Sequence, residues 1–211
     1  MNKSVSIVDY GVGNINSVAN MLLRAGAEIR FARNSNEVRI AERIILPGVG
    51  AFDSCRRNLG AIPDLAESIL EFARSGRPLL GICVGMQLLG SSSEEGVLPG
   101  LDIIPGKVRR FPSGMPGQTM ALKVPHMGWS SVDADLSNPL FAGGLADFNR
   151  FYFVHSYYFD ATTPANVAAW CEYGLRFAAS IRKDNVFGAQ FHPEKSHRFG
   201  LQMFRNFIAK T

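Results

Sequence analysis

The sequence predicts an α/β fold: a single domain on a mostly parallel open sheet flanked by helices, with a β-rich C-terminal half. Three observations carry this. Over roughly the first ninety residues, apolar strand-like runs alternate with amphipathic stretches, the pattern of parallel strands joined by crossover helices. From Gly106 onward the texture changes to short β-rich pieces separated by turn signals. With 211 residues and 46% hydrophobic content the chain can bury one substantial core, so residues 1–211 are expected to form one unit.

The elements follow in order. Ser4 to Asp9 reads as a buried strand, and after Tyr10-Gly-Val-Gly-Asn14 an apolar-periodic helix runs through Val18, Met21, Leu22 and Ala25. Asn14 is expected to cap that helix, its side-chain oxygen accepting from an amide of the first turn. Strands are expected at Glu28 to Ala32 and at Arg43 to Leu46, the second stopped by Pro47-Gly-Val-Gly50. A helix from about Pro63 to Arg74 closes with Gly76, and Pro78 to Ile82 suits a central parallel strand. Further strands are expected at Lys107 to Phe111, Met120 to Val124, Phe151 to Phe159, Val167 to Glu172, Arg176 to Arg182 and Val186 to Phe191. A final helix spans Phe199 to Ala209, with Leu201, Phe204, Phe207 and Ile208 at helical spacing. Ligands of such a sheet sit at the carboxyl ends of its strands.

Composition removes several function classes. The formal charge is +4, but the basic residues are scattered and never run to five, so a nucleic-acid partner is not expected. No window approaches the roughly 18 uninterrupted apolar residues of a membrane span, and the first ten residues lack a basic stretch followed by an apolar run. A soluble, unprocessed protein with no membrane partner is expected. Cys55, Cys83 and Cys171 are widely spaced, which suggests neither a disulfide framework nor a zinc site and points to a reducing cytoplasm. No metal or cofactor is expected.

One cysteine stands apart. Gly81-Ile-Cys83-Val-Gly85 follows an apolar strand and precedes Met86-Gln-Leu-Leu89, which reads as the start of a helix. Glycines two positions either side of a nucleophile allow a sharp strand-to-helix elbow. A thiol there is expected to be exposed at the sheet edge beside a helix N-terminus, whose partial positive charge favours thiolate. Cys55 and Cys171 lack this framing and read as structural. Near the other end of the chain, His192-Pro-Glu194 follows an apolar strand. The proline stiffens the turn, so that the carboxylate can orient the imidazole. A cysteine, a histidine and an acid in stiff turns at strand ends form a coherent nucleophilic set, whereas His197 is too lone a companion to make His192 a metal ligand.

These residues resemble the class I, triad-type glutamine amidotransferases, on Gly81-Ile-Cys-Val-Gly-Met-Gln87 and His192-Pro-Glu194 together. Five further stretches carry the resemblance over essentially the whole chain: Asp9-Tyr-Gly-Val-Gly-Asn14, Leu46-Pro-Gly-Val-Gly-Ala-Phe52, Pro125-His-Met-Gly-Trp129, Phe151-Tyr-Phe-Val-His-Ser-Tyr157 and Gln190-Phe-His-Pro-Glu-Lys-Ser196. Within the family the match is nearest to glutaminase subunits that serve histidine biosynthesis. Many relatives making other products carry a Pro-Gly-Gly-type segment where this chain has Pro47-Gly-Val-Gly50.

The resemblance implies a mechanism and partners. Cys83 attacks the side-chain amide of L-glutamine, His192 acts as acid and then base, and Glu194 holds its tautomer. Oxyanion donors are expected from the Val84 N–H and from Gly48, Val49 and Gly50. Glycine on both sides of Val49 suggests a switchable segment, which unchanged resting and stimulated rates in Gly50→Ala would refute. Gln87 and backbone groups around His155, Ser156 and Tyr157 hold the amino-acid end of glutamine. The implied partner is a (β/α)8-barrel cyclase in a heterodimer, with Asn14, Trp129, Tyr152, His155 and Lys195 at or near the interface. Two rivals stay open: the same glutaminase feeding a sugar-amidating enzyme of surface-polysaccharide synthesis, and a catalytically silent binding module. A peptidase or esterase on a similar elbow is weakened by the glutamine-site stretches.

Overall fold

The computed structural model describes residues 3–112, 122–143 and 149–211. In chain order the elements are β1 (Ser4–Val8), α1 (Ile15–Ala25), β2 (Glu28–Ala32), α2 (Ser35–Arg39), β3 (Ile44–Gly48), α3 (Phe52–Ala61), α4 (Leu65–Arg74), β4 (Leu79–Cys83), α5 (Val84–Gln87) and β5 (Ser92–Ser93). After these come β6 (Gly106–Arg110), β7 (His126–Ala134), β8 (Arg150–His155), β9 (Tyr157–Ala161), β10 (Val167–Tyr173), β11 (Leu175–Lys183), β12 (Val186–Ala189) and α6 (His197–Lys210). No described helix is long and apolar enough to cross a membrane.

One sheet runs through the molecule in the order β2-β1-β3-β4-β12-β11-β10-β7-β8. Its first five strands are parallel, and from β11 outward the pairings are antiparallel. The strands β1, β3, β4 and β12 are buried throughout, which explains why they carry no charged residue. Among the helices that cover the sheet, α1 packs against α6, and α4 packs against both α2 and α3. Asn14 caps α1 by accepting from the Ser17 amide, and Gly26 at φ 94° ends it in the left-handed conformation glycine favours.

The structure corrects several boundaries. Phe151 to Phe159 is not one strand: β8 pairs with β7, whereas β9 leaves at Ser156 to pair with β6 and β11. In the segment 120–124, Met120 and Ala121 lie outside the described residues, and Leu122 to Val124 is not a strand. The helix after Cys83 starts at Val84 rather than Met86. Four elements were not anticipated: α2, α3, the two-residue β5 and β7. The helix α3 has no side-chain cap of its own; the Glu95 carboxylate, distant in sequence, accepts the Phe52 N–H at 2.8 Å. The strand β7 alternates exposed and less exposed positions, but its inward set begins His126, Gly128 and Ser130 while Met127 and Trp129 face outward, so it lacks the apolar inward pattern of the other strands.

Candidate active site

The elbow at Cys83 is built by close backbone approach. Strands β3 and β4 run side by side with Gly48 opposite Cys83. A Cβ on Gly85 would lie 1.9 Å from the Leu46 carbonyl oxygen, and one on Gly81 would lie 2.6 Å from the Gly85 carbonyl oxygen. Only glycine fits at either place. Cys83 itself has φ 55° and ψ −115°, a conformation that L-residues rarely adopt and that is concentrated at functional turns. The sequence placed its thiol exposed at the sheet edge; instead Cys83 ends a central strand and is only 4% exposed, facing a cavity. The helix that follows has four residues, so its dipole is short.

The turn after β12 brings the second half of the site alongside, because β12 lies next to β4 in parallel register. The Glu194 Oε1 is 2.7 Å from His192 Nδ1, and both side chains are almost inaccessible. A carboxylate accepting there puts the proton on Nδ1 and leaves Nε2 to Cys83. The backbone of His192 is fixed as well: its N–H donates to the Tyr152 carbonyl, and the Ser196 hydroxyl donates to its own carbonyl. Burial opposes a charged imidazole, but the hydrogen bonds and charges of Cys83 and Glu194 outweigh it and hold His192 up at about 10.

Cys83 and His192 open into a cavity of about 280 Å³, whose lining includes Val49, Gly50, Val84, Gln87, Glu95, Ser156, Tyr157 and Lys195. It suits a small, polar, amino-acid-sized ligand. Gln87 is buried at its wall and donates from Nε2 to the Tyr157 carbonyl at 3.1 Å and to Gln190 Oε1 at 3.0 Å. The His155 Nδ1 also bonds the Tyr157 carbonyl, at 2.8 Å, so this backbone oxygen is fixed from two sides. Gly48 leaves no space for a side chain, since a Cβ there would meet the Gly85 nitrogen at 2.4 Å. Among the described residues no group of three or more His, Cys, Asp or Glu side chains is placed to hold a metal ion.

Three residues of this site carried no assigned role in the sequence. Gln190 is fully buried and points Nε2 at Cys83 Sγ, 3.9 Å away. Its position two residues before His192, on the same side of an extended chain, was the available signal. Glu95 brings a carboxylate into the cavity wall, with burial raising its pKa, and Ser196 braces the His192 turn.

Of the residues assigned to a partner surface, Trp129, Tyr152 and Lys195 form one patch. The Trp129 ring is 37% exposed and lies edge-on to Tyr152 at 6.1 Å, and the Lys195 ammonium sits over the Tyr152 ring. His197 stacks flat on Trp129 and Met127 is exposed beside it on the same strand. Asn14 is exposed but used as a cap. His155 does not belong to that surface: it is 6% exposed, packed among Phe111, His126, Phe153 and Phe177.

Comparison with known proteins matches the class-I glutamine amidotransferase family model over residues 6–211. The imidazole glycerol phosphate synthase subunit HisH of Methanosarcina acetivorans is 51% identical over 209 residues, covering 98% of each chain. Subunit HisH 2 of Pseudomonas aeruginosa is 44% identical over 207 residues, 97% of this chain and 98% of that one. Among solved structures, a putative GMP synthase protein from Thermoplasma acidophilum superposes with a TM-score of 0.70 at 21% identity, covering 99% of this chain and 93% of that one, a likeness of fold.

Proposed function

The chain belongs to the class-I glutamine amidotransferase family, and from that membership we propose that it is the glutaminase subunit of an imidazole glycerol phosphate synthase. It is one amidotransferase domain over residues 1–211 that hydrolyses L-glutamine to glutamate and ammonia. The ammonia passes to a (β/α)8-barrel cyclase in a heterodimer, giving imidazole glycerol phosphate and AICAR in histidine biosynthesis. The observation that carries the chemistry is the meeting of Cys83, on its elbow, with a His192 whose Nδ1 is 2.7 Å from Glu194.

The thiolate of Cys83 adds to the side-chain carbonyl carbon of glutamine, and the oxyanion formed is met by the Val84 N–H and by an N–H of the Gly48-Val49-Gly50 segment. Such fixed donors are worth on the order of 3 kcal/mol each. His192 Nε2–H protonates the departing nitrogen as the C–N bond breaks, leaving a glutamyl thioester and ammonia. Neutral His192 then takes a proton from water, whose oxygen attacks the thioester and returns the Cys83 thiolate with glutamate. Glu194 keeps the imidazole in one tautomer and balances its charge in the first half of the cycle. Gln87 and the backbone of Ser156 and Tyr157 bind the amino-acid end, and Glu95 gives the cavity a carboxylate suited to the α-ammonium.

Ammonia released into neutral water is mostly protonated and a poor nucleophile, so the product has to be handed on. The aromatic and cationic patch of Trp129, Tyr152 and Lys195 is the surface proposed for the cyclase, with Asn14 nearby as a polar contact. Three free cysteines suit a reducing, cytoplasmic setting. Relatives 44–51% identical over nearly their whole length favour the cyclase over a sugar-amidating partner. The test is glutamate release by the purified chain, alone and with the cyclase of the same organism and its phosphoribosyl substrate. Stimulation that disappears in Cys83→Ala supports the reading. A cyclase competent with added ammonium that draws no glutamate from this chain would overturn it.

A further inference from the structure

Two polar side chains beneath the oxyanion segment take no part in the chemistry above. Tyr10, just beyond β1, is 3% exposed, and Cys55, on α3, is fully buried; neither borders the cavity. The Tyr10 hydroxyl donates to the Pro47 carbonyl oxygen at 2.5 Å. The Cys55 thiol donates to the Val49 carbonyl oxygen at 3.3 Å. Burial pushes the Cys55 thiol up to about 11, so at neutral pH it keeps the proton it donates and does not compete with Cys83 as a nucleophile.

The consequence is geometric. A trans peptide carries its C=O and N–H on opposite sides, so a carbonyl bonded to a group in the interior is turned from the cavity and its peptide N–H points the other way. That distinction decides the chemistry, because an N–H facing the developing oxyanion stabilises it and a carbonyl oxygen in the same place repels it. The pairing of β3 with β4 reaches only to Gly48, and beyond it the segment has little of its own to fix it: Gly50 has no side chain and sits at φ 88°, and Val49 is 39% exposed. Its orientation has to be held from below.

We propose that Tyr10 and Cys55 are positioning residues for glutamine hydrolysis, a buried clamp that turns the Pro47 and Val49 carbonyls inward and confines any reorientation of the oxyanion segment to the Gly48–Val49 peptide between them. The proposal rests on the glutaminase reading of the cavity. It assigns work to a cysteine that the sequence marks only as structural, and it predicts a catalytic signature that ordinary packing does not have.

The experiment measures kcat and KM for glutamate release by the complex with the cyclase. Cys55→Ala is expected to lower kcat about fivefold, the population shift one neutral hydrogen bond supports, with KM within about twofold. Cys55→Ser keeps a donor on the same carbon and is expected to restore most of the rate, and Tyr10→Phe is expected to lower kcat in the same way as Cys55→Ala. Co-elution of each variant with the cyclase in gel filtration of the same samples confirms that each complex is assembled. An unchanged kcat in Cys55→Ala, a rise in KM alone, or equal losses in Cys55→Ala and Cys55→Ser would each overturn the clamp. Cys83→Ala separates the two claims. If the wild-type complex is active and Cys83→Ala is silent while Cys55→Ala is unaffected, only the clamp falls; if the wild type releases no glutamate, the glutaminase reading fails and the clamp with it.

Discussion

Two regions of this molecule bury a histidine and treat it in opposite ways. His192, in the turn beyond β12, is 3% exposed and is held up at about 10; His155, at the end of β8, is 6% exposed and is pushed down to about 3. Burial works against the charge in both. What differs is the company. His192 has the Glu194 carboxylate and the Cys83 sulfur, partners that favour its charged form, whereas His155 has the Tyr157 carbonyl at 2.8 Å and the His126 Nδ1 at 3.3 Å. A backbone dipole and a second imidazole do not offset the cost of desolvation. The carboxyl edge of the parallel strands is arranged to keep a proton available, and the aromatic end of the antiparallel strands is arranged to exclude one.

The bonds in the second region have one consistent direction. His155 donates from Nδ1 to Tyr157, so its Nε2 accepts from His126 Nδ1–H, and His126 Nε2 accepts from the Ser130 hydroxyl at 2.8 Å. His126 is itself pushed down to about 4 by burial, stacked between Phe153 and Tyr173. Both rings are neutral at physiological pH, and their task is to fix the carbonyl at the cavity wall.

The largest change should come from removing the charge that distinguishes the first histidine. Glu194→Gln is expected to lower stimulated glutaminase kcat by roughly a thousandfold or more with a small change in KM, since the tautomer and the imidazolium both lose their support; a loss under about tenfold would sink the contrast. Next in size, His155→Leu leaves the Tyr157 carbonyl short of a donor and strands the His126 N–H. It is expected to cost about 2–3 kcal/mol in urea unfolding and to raise KM for glutamine more than it lowers kcat. The pH dependence of stability should have two limbs. The folded pKa of His192 is raised above the ordinary 6.5, so its contribution is complete below that value and is lost as pH rises through about 10. That of His155 is depressed, so its contribution is present above 6.5 and is lost as pH falls toward about 3. Denaturation followed across pH should show Glu194→Gln flattening the alkaline limb and His155→Leu the acid one. If each variant flattened the opposite limb, the assignment would be wrong. The smallest effect belongs to Ser130→Ala, about 1 kcal/mol of stability with glutaminase kcat unchanged; a clear kcat loss would show that the second region does more than hold a carbonyl.

What the sequence made legible follows the same division. The central parallel strands β3 and β4 could be read because burial on both faces leaves them without charged residues, the edge strand β2 because it alternates polar and apolar residues, and Cys83 stood out because Gly81 and Gly85 are local to it. The helix α3 escaped because its cap, Glu95, comes from another part of the chain. The strand β7 escaped because its inward set begins with polar or small residues, His126, Gly128 and Ser130, while Met127 and Trp129 face outward. Gln190 could not be paired with Cys83 without knowing that β12 lies beside β4, and the His126–His155 contact joins residues 29 apart through strand pairing alone. Motif spacing reports local turns well. It does not report which strands become neighbours.

That neighbour relation has a consequence for the order in which the protein can become active. The ribosome delivers the strand beside the cysteine on its far edge long after the cysteine itself: Gln190, just beyond that strand, is 107 residues later in the chain than Cys83. A growing chain that has already folded β1 to β4 therefore carries a nucleophile without its base, and the edge of β4 waits for β12 to be made and slotted in. Glutamine is spared until the C-terminal segment is in place, so timing during synthesis is written into the strand order.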